Sequence, residues 1–170
     1  MERLLLVITA LYLNTLVSFS QHPDLETGTM APVITLPDPK GDTIALTSLR
    51  GKLVLIDFWA SWCAPCVKEQ PELAELYKKY KASAFTNGNG FEIYGVSLDT
   101  KKSTWEVNIK KLNIKWTQVS DLKFWSSPVA KTYKIHAIPF NVLIDGKGTI
   151  LATNLHGKEL RRFINSLLTR

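Results

Sequence analysis

Sulfur is scarce in this chain: 170 residues hold two cysteines and two methionines, and the cysteines, Cys63 and Cys66, stand three positions apart. A fold stapled by cross-links between distant segments is therefore excluded. A bond across two intervening residues closes a tiny loop and restricts the unfolded chain little. Histidine is nearly as rare, with three. Only His22, His136 and His156 could join the cysteine pair as ligands, too thin a set for a zinc centre, so no metal is expected. No internal repeat, low-complexity stretch or long basic block is present. The net charge of +6 is spread over several segments, so nucleic-acid binding is not expected. The length leaves no room for a second full domain, while 45% hydrophobic residues suffice for one core.

The first twenty residues read differently from the rest. Arg3 precedes an apolar run from Leu4 to Leu13 that continues through Leu16 and Val17 to the small residues Ser18 and Ser20, just before Gln21. That is the pattern of an export signal over residues 1–20, or of an anchor where it stays uncleaved. The run is short for a bilayer-spanning helix of about 20 apolar residues. Residues 21–30 form a polar, turn-rich lead-in, and 31–170 the single domain. The chain is thus expected outside the cytoplasm, in a periplasm or equivalent space, touching membrane only if the first segment is retained. Such compartments permit disulfides.

Within the domain, Val33 to Leu36 and Thr43 to Leu46 flank the turn Asp38-Pro39-Lys40-Gly41 and predict a small hairpin, followed by a short turn at Thr47 to Gly51. Leu53 to Trp59 is nearly continuously apolar, which predicts a strand buried on both faces. Ala64 to Lys81 has helical spacing, with a kink expected at Pro71. Thr86 to Gly90 reads as a loop and Phe91 to Leu98 as a second strand, parallel to the first. Further on come a helix over Thr100 to Leu112, a strand over Trp116 to Val119 and a helix over Pro128 to Tyr133. Strands over Pro139 to Ile144 and Thr149 to Thr153 flank the turn Asp145 to Gly148, and a closing helix covers Lys158 to Leu168.

The chemistry centres on the junction of the buried strand and the first long helix. Cys63 falls at the helix N-terminus, where unpaired N–H groups and the helix dipole favour a thiolate. Cys66 lies one turn behind, placed to attack a mixed disulfide formed on Cys63. Pro65, after Ala64, suits a first turn that needs no N–H. Asp57 sits inside the apolar strand, costly for a carboxylate unless it is protonated or partnered. Glu69 lies one turn beyond Cys66, where a carboxylate also suits the dipole. Trp59 is expected in the core and Trp62 over the active-site surface.

The segment Phe58-Trp59-Ala60-Ser61-Trp62-Cys63-Ala64-Pro65-Cys66 resembles the active site of the thioredoxin superfamily, in particular its exported TlpA/ResA-like branch. Ala31-Pro32, Leu49-Arg50-Gly51-Lys52, Glu69-Gln70-Pro71, Ile138-Pro139 and Ile144-Asp145-x-x-Gly148 are similar to that pattern as well. The resemblance implies an α/β thioredoxin fold: a central mixed sheet flanked by helices, with an N-terminal β-hairpin and an inserted helix-strand segment. It implies that Pro139 is cis and faces the disulfide, with Ile138 presenting backbone to a bound chain. It further implies that Asp57 accepts the proton of Cys66 during resolution and that Glu69 stands near the thiols. Trp62, Ala64, Pro65, Ile138 and Pro139 would then meet the substrate. The implied activity is thiol-disulfide exchange, reducing selected exported proteins, with cytochrome c maturation as one context. No cofactor is implied beyond the Cys63-Cys66 disulfide itself. The partners would be protein thiols and disulfides and a membrane-linked electron donor or acceptor. Two other readings compete: a non-catalytic docking domain, and a thiol peroxidase. The peroxidase pattern needs a threonine or serine and a proline where this chain has Ala60 and Ile56.

Overall fold

The computed structural model describes residues 25–169. The expected export signal over 1–20 and the first residues of the lead-in lie outside them.

Strands β1 (Thr35–Pro37) and β2 (Thr43–Ala45) pair antiparallel, with Thr35 opposite Ala45. Asp38 fixes their turn by accepting the N–H groups of Lys40 and Asp42 on one carboxylate oxygen, at 2.7 and 2.9 Å. The short turn expected next is a single 3-10 turn, Leu46–Leu49. Strand β3 (Leu53–Trp59) is buried at all seven positions. It leads into helix α1 (Ala64–Tyr80), whose buried side chains Cys66, Gln70, Leu73, Leu76 and Tyr80 recur every three or four residues and so form one stripe. Pro71 lies inside α1, and the helix continues through it.

The stretch expected as a loop at Thr86 to Gly90 belongs instead to a two-stranded hairpin, β4 (Ala84–Phe85) and β5 (Gly88–Asn89). Its backbone is tied down from outside: the Thr86 N–H donates to Leu167 O, and Asn87 O accepts from the Gly146 N–H. Strand β6 (Phe91–Ser97) runs parallel to β3, as the strand-helix-strand order predicts. Helix α2 (Lys102–Lys111) and strand β7 (Thr117–Val119) follow, β7 parallel to β6. A 3-10 turn at Phe124–Ser126 precedes helix α3 (Pro128–Thr132). Strands β8 (Phe140–Ile144) and β9 (Ile150–Thr153) and helix α4 (Gly157–Ser166) complete the chain.

The main sheet has the order β7-β6-β3-β8-β9, with β8 antiparallel to β3 and β9 antiparallel to β8. It is therefore mixed, with β3 at its centre. The lead-in covers the outer edge: Gly28 and Ala31 N–H groups donate to Ile150 O and Gly148 O, and Met30 bridges Thr149. An edge so covered cannot recruit another chain's strand at that point.

Alternation along β3 sends neighbouring side chains to opposite faces. Phe58 packs against the ring of Tyr133 just after α3 and against Phe140. Asp57 turns the other way, toward α1, where Gln70 meets it. In register with Asp57 are Asn141 on β8 and Gly95 on β6, and Gly95 in turn is level with Gln118 on β7. A polar row thus crosses four strands of an otherwise apolar sheet. Gly95 leaves room in that row for the Gln118 amide, which a Cβ at this position would displace.

Candidate active site

The site grows from the end of β3. The chain leaves the sheet at Ala60 and passes through Ser61 and Trp62, and Cys63 then caps α1 in extended conformation, φ −86° and ψ 97°. Asp99, buried just beyond β6, holds this turn: it accepts from the Ser61 N–H at 3.0 Å, from the Ser61 hydroxyl at 2.5 Å and from the Ser97 hydroxyl at 2.7 Å. The strand-to-helix turn is thereby fastened to the neighbouring strand. Charge-assisted hydrogen bonds of this kind are stronger than neutral ones.

Cys63 and Cys66 are joined, S–S 2.04 Å and Cα–Cα 5.3 Å. Cys63 Sγ also accepts the Cys66 N–H at 3.3 Å. The same sulfur is 3.7 Å from the carbonyl oxygen of Ile138. In the disulfide this is a contact only, since the sulfur carries no hydrogen. Ile138-Pro139 is a cis peptide bond, and it is the carbonyl just before Pro139 that faces Cys63 Sγ. Ala64 and Pro65 lie exposed in the first turn of α1, and Trp62 is 48% exposed beside them. Trp59, by contrast, is fully buried and donates its indole N–H to Gln118 at 2.9 Å.

Asp57 is 2% exposed. Burial pushes its carboxyl up to about 7, and the negative charge of Glu69 adds to the rise, while the hydrogen bond from Gln70 and the cation of His156 oppose it. The Gln70 amide donates to the Asp57 carboxylate at 3.3 Å. Gln70 is one turn beyond Cys66 on the same buried stripe, so the acid lies beneath the face of α1 that carries the second sulfur.

Glu69 is nearly buried and receives the Nδ1 side of His156 at 2.8 Å. His156 Nε2 in turn meets Asn154 Oδ1 at 3.0 Å. The hydrogen bond to Glu69 raises the His156 imidazole above its ordinary value, opposed by burial and helped by the charges of Glu69, Asp57 and Glu159. The loop bearing His156 is clamped by Asn141, whose side chain donates to Leu155 O and accepts the Leu155 N–H, at 2.6 and 3.1 Å. Asn141 stands level with Asp57 in the sheet. One buried row therefore positions both the acid under α1 and the histidine at the head of α4.

The structure thus gathers Cys63, Cys66, Asp57, Glu69, Trp62, Ala64, Pro65, Ile138 and Pro139 at one end of the sheet. His156, Gln70, Asn141 and Asp99 belong to the same place, and sequence reasoning did not put them there. Gln70 carried a signal, four residues after Cys66 and so on the same helical stripe. His156 carried none, because 87 positions separate it from Glu69. His136 is exposed, two residues before Ile138. Among the described residues, no group of three or more His, Cys, Asp or Glu is placed to hold a metal ion. Ala60 and Ile56, where a peroxidase would need a hydroxyl and a proline, are both buried and apolar.

Residues 27–153 match the AhpC/TSA family model. The thiol-disulfide oxidoreductase ResA of Bacillus cereus is 30% identical over 152 residues, covering 89% of this chain and 82% of that protein. Among solved structures, a thiol-disulfide oxidoreductase from Bacteroides fragilis superposes with TM-score 0.73 at 37% identity, covering 81% of this chain and 98% of the other. A thiol:disulfide interchange protein from a Bacteroides species does so with TM-score 0.73 at 35% identity, covering 83% and 89%.

Proposed function

The chain belongs to the AhpC/TSA family and is a thiol-disulfide oxidoreductase of thioredoxin fold, and on that footing we propose that it acts outside the cytoplasm as a reductant of selected exported proteins. Its attacking sulfur is Cys63. The observation that carries this assignment is the placement of Cys63 Sγ at the N-terminus of a long helix, 3.7 Å from the Ile138 carbonyl at the mouth of the site.

In the reduced protein the helix terminus and the Cys66 N–H stabilise a Cys63 thiolate. That thiolate attacks one sulfur of the substrate disulfide, forming the Cys63-substrate bond and releasing the other substrate sulfur as a thiol after it takes up a proton. Cys66 then gives its proton to the Asp57 carboxylate and attacks Cys63. The second substrate sulfur leaves, protonated, and the internal disulfide remains. Two electrons have moved from the protein dithiol to the substrate. Asp57, held near neutrality by burial and by Glu69, can both accept and return that proton at working pH. Glu69 and His156 set the charge beside it. Trp62, Ala64, Pro65, Ile138 and Pro139 form the contact rim.

The apolar N-terminal run supports an extracytoplasmic location, and the relatives' names support exchange chemistry. A membrane-linked donor would return the protein to its dithiol state, and cytochrome c maturation is a fitting context. A Cys66→Ala variant expressed in the native compartment tests the reading. It should accumulate disulfide-linked partners on Cys63 that dithiothreitol releases. Their absence would contradict it.

A further inference from the structure

The Gln70 side chain is 1% exposed and ends in two groups that fare differently. Its Nε2 donates to Asp57 Oδ2 at 3.3 Å. Its Oε1, also buried, has no hydrogen-bond partner among the described residues. An unpaired buried carbonyl is costly, and an atom left so inside a folded chain calls for an explanation.

The redox state of the cysteines supplies one. Cys66 stands four residues before Gln70 on the buried stripe of α1, and side chains so spaced are neighbours on a helix. In the disulfide the Cys66 sulfur is bonded to Cys63 and carries no hydrogen. Reduction, or capture of a substrate by Cys63, leaves a Cys66 S–H at this buried position, and a thiol hydrogen needs an acceptor. The Glu69 carboxylate is turned to His156. The Gln70 oxygen is the group on the same stripe that lacks a donor.

We propose that Gln70 is a positioning residue of the resolving step, its amide spanning from Asp57 to Cys66: Nε2 holds the carboxylate, and Oε1 holds the thiol hydrogen in the dithiol and in the mixed disulfide. The inference rests on the exchange reading above and adds a residue to it. The Cys66 proton passes to the Asp57 carboxylate. The thiolate so formed bonds to Cys63 Sγ while the bond from Cys63 to the substrate breaks, and the departing substrate sulfur keeps that bond's electron pair and takes up a proton. Gln70 neither gains nor loses a proton. It fixes the giver and the taker of the proton relative to each other, and once the disulfide closes its oxygen is unpaired again, as in this structure.

Infrared spectroscopy reads the contact directly. In the full-length Cys63→Ala protein Cys66 is the sole thiol, and the Cys63 sulfur is removed as a competing acceptor. The S–H stretching band should lie below that of a free thiol, and Gln70→Met, which keeps a side chain of similar length without the amide, should shift it back up. With both cysteines present, Gln70→Met should slow release of a small aromatic thiol from its mixed disulfide with Cys63 about 10-fold, the worth of one hydrogen bond. Where Gln70→Met does not fold, Gln70→Leu takes its place. A free-thiol band in the Cys63→Ala protein would overturn the proposal whether or not either variant folds. So would a band, or a release rate, that the loss of the amide leaves unchanged. If the unaltered reduced protein cleaves no disulfide at all, the exchange reading itself falls, and this proposal with it.

Discussion

At the scale of single residues, Asp57 carries the most consequence. Its carboxyl titrates near 7 in the folded chain against 3.8 when free, so the native state holds a proton that the unfolded state gives up. The linkage has one sign: relative to a non-titrating residue, stability is full below about pH 4 and falls as pH rises toward 7. Asp57→Asn should therefore stabilise the oxidised protein by about 2 to 4 kcal/mol at pH 8 and change it little at pH 4, read from denaturant midpoints. The same change should slow release of the mixed disulfide about 100-fold. His156 is the counterweight. Its raised value means that the pair with Glu69 contributes below the free imidazole range and is lost as pH rises through the folded value. Because the pair is partly exposed, His156→Ala should cost at most about 1 kcal/mol at pH 6 and nothing at pH 9. Its sharper signature is a rise in the Asp57 midpoint, followed by carboxyl-carbon NMR, since the histidine cation lowers that midpoint.

At the scale of elements, the turn from β3 to α1 depends on a residue outside both. Asp99 alone satisfies the Ser61 N–H and hydroxyl. Asp99→Ala takes the acceptor from those partly buried donors and should destabilise the protein by about 2 kcal/mol. Native-state hydrogen exchange should place the loss at the Ser61 amide first. The elements that carry the site were legible in the sequence because each has a local cause. The apolar run of β3, the stripe of α1 and the turn at Asp145 to Gly148 all lie where periodicity puts them. The hairpin at β4 and β5 was not legible, because its turn is tied down by Leu167 and Gly146 from far along the chain. The same reason hid His156 and Asn141. Asp57 was visible as an acid inside an apolar strand and Glu69 as one a turn beyond Cys66, but nothing local in the chain says that a histidine 87 residues away sits beside Glu69. Long-range polar pairing follows from tertiary register, which composition and spacing do not encode.

At the scale of the whole molecule, the fold sets the two sulfurs at different depths, Cys63 nearer the surface than Cys66. The sheet buries β3 completely, α1 starts at its end, and the carbonyl just before Pro139 faces the same point. Cys63 is left 5% exposed and Cys66 1%. The lead-in, laid along β9, covers one edge of the sheet, away from this site. On the exchange mechanism proposed above, Cys63 alone meets incoming partners while Cys66 acts only from behind it. Brief alkylation of the reduced protein with iodoacetamide at pH 7, read residue by residue by mass spectrometry, tests this directly: Cys63 should be labelled well before Cys66, and labelling of Cys66 first, or of both at one rate, would contradict it.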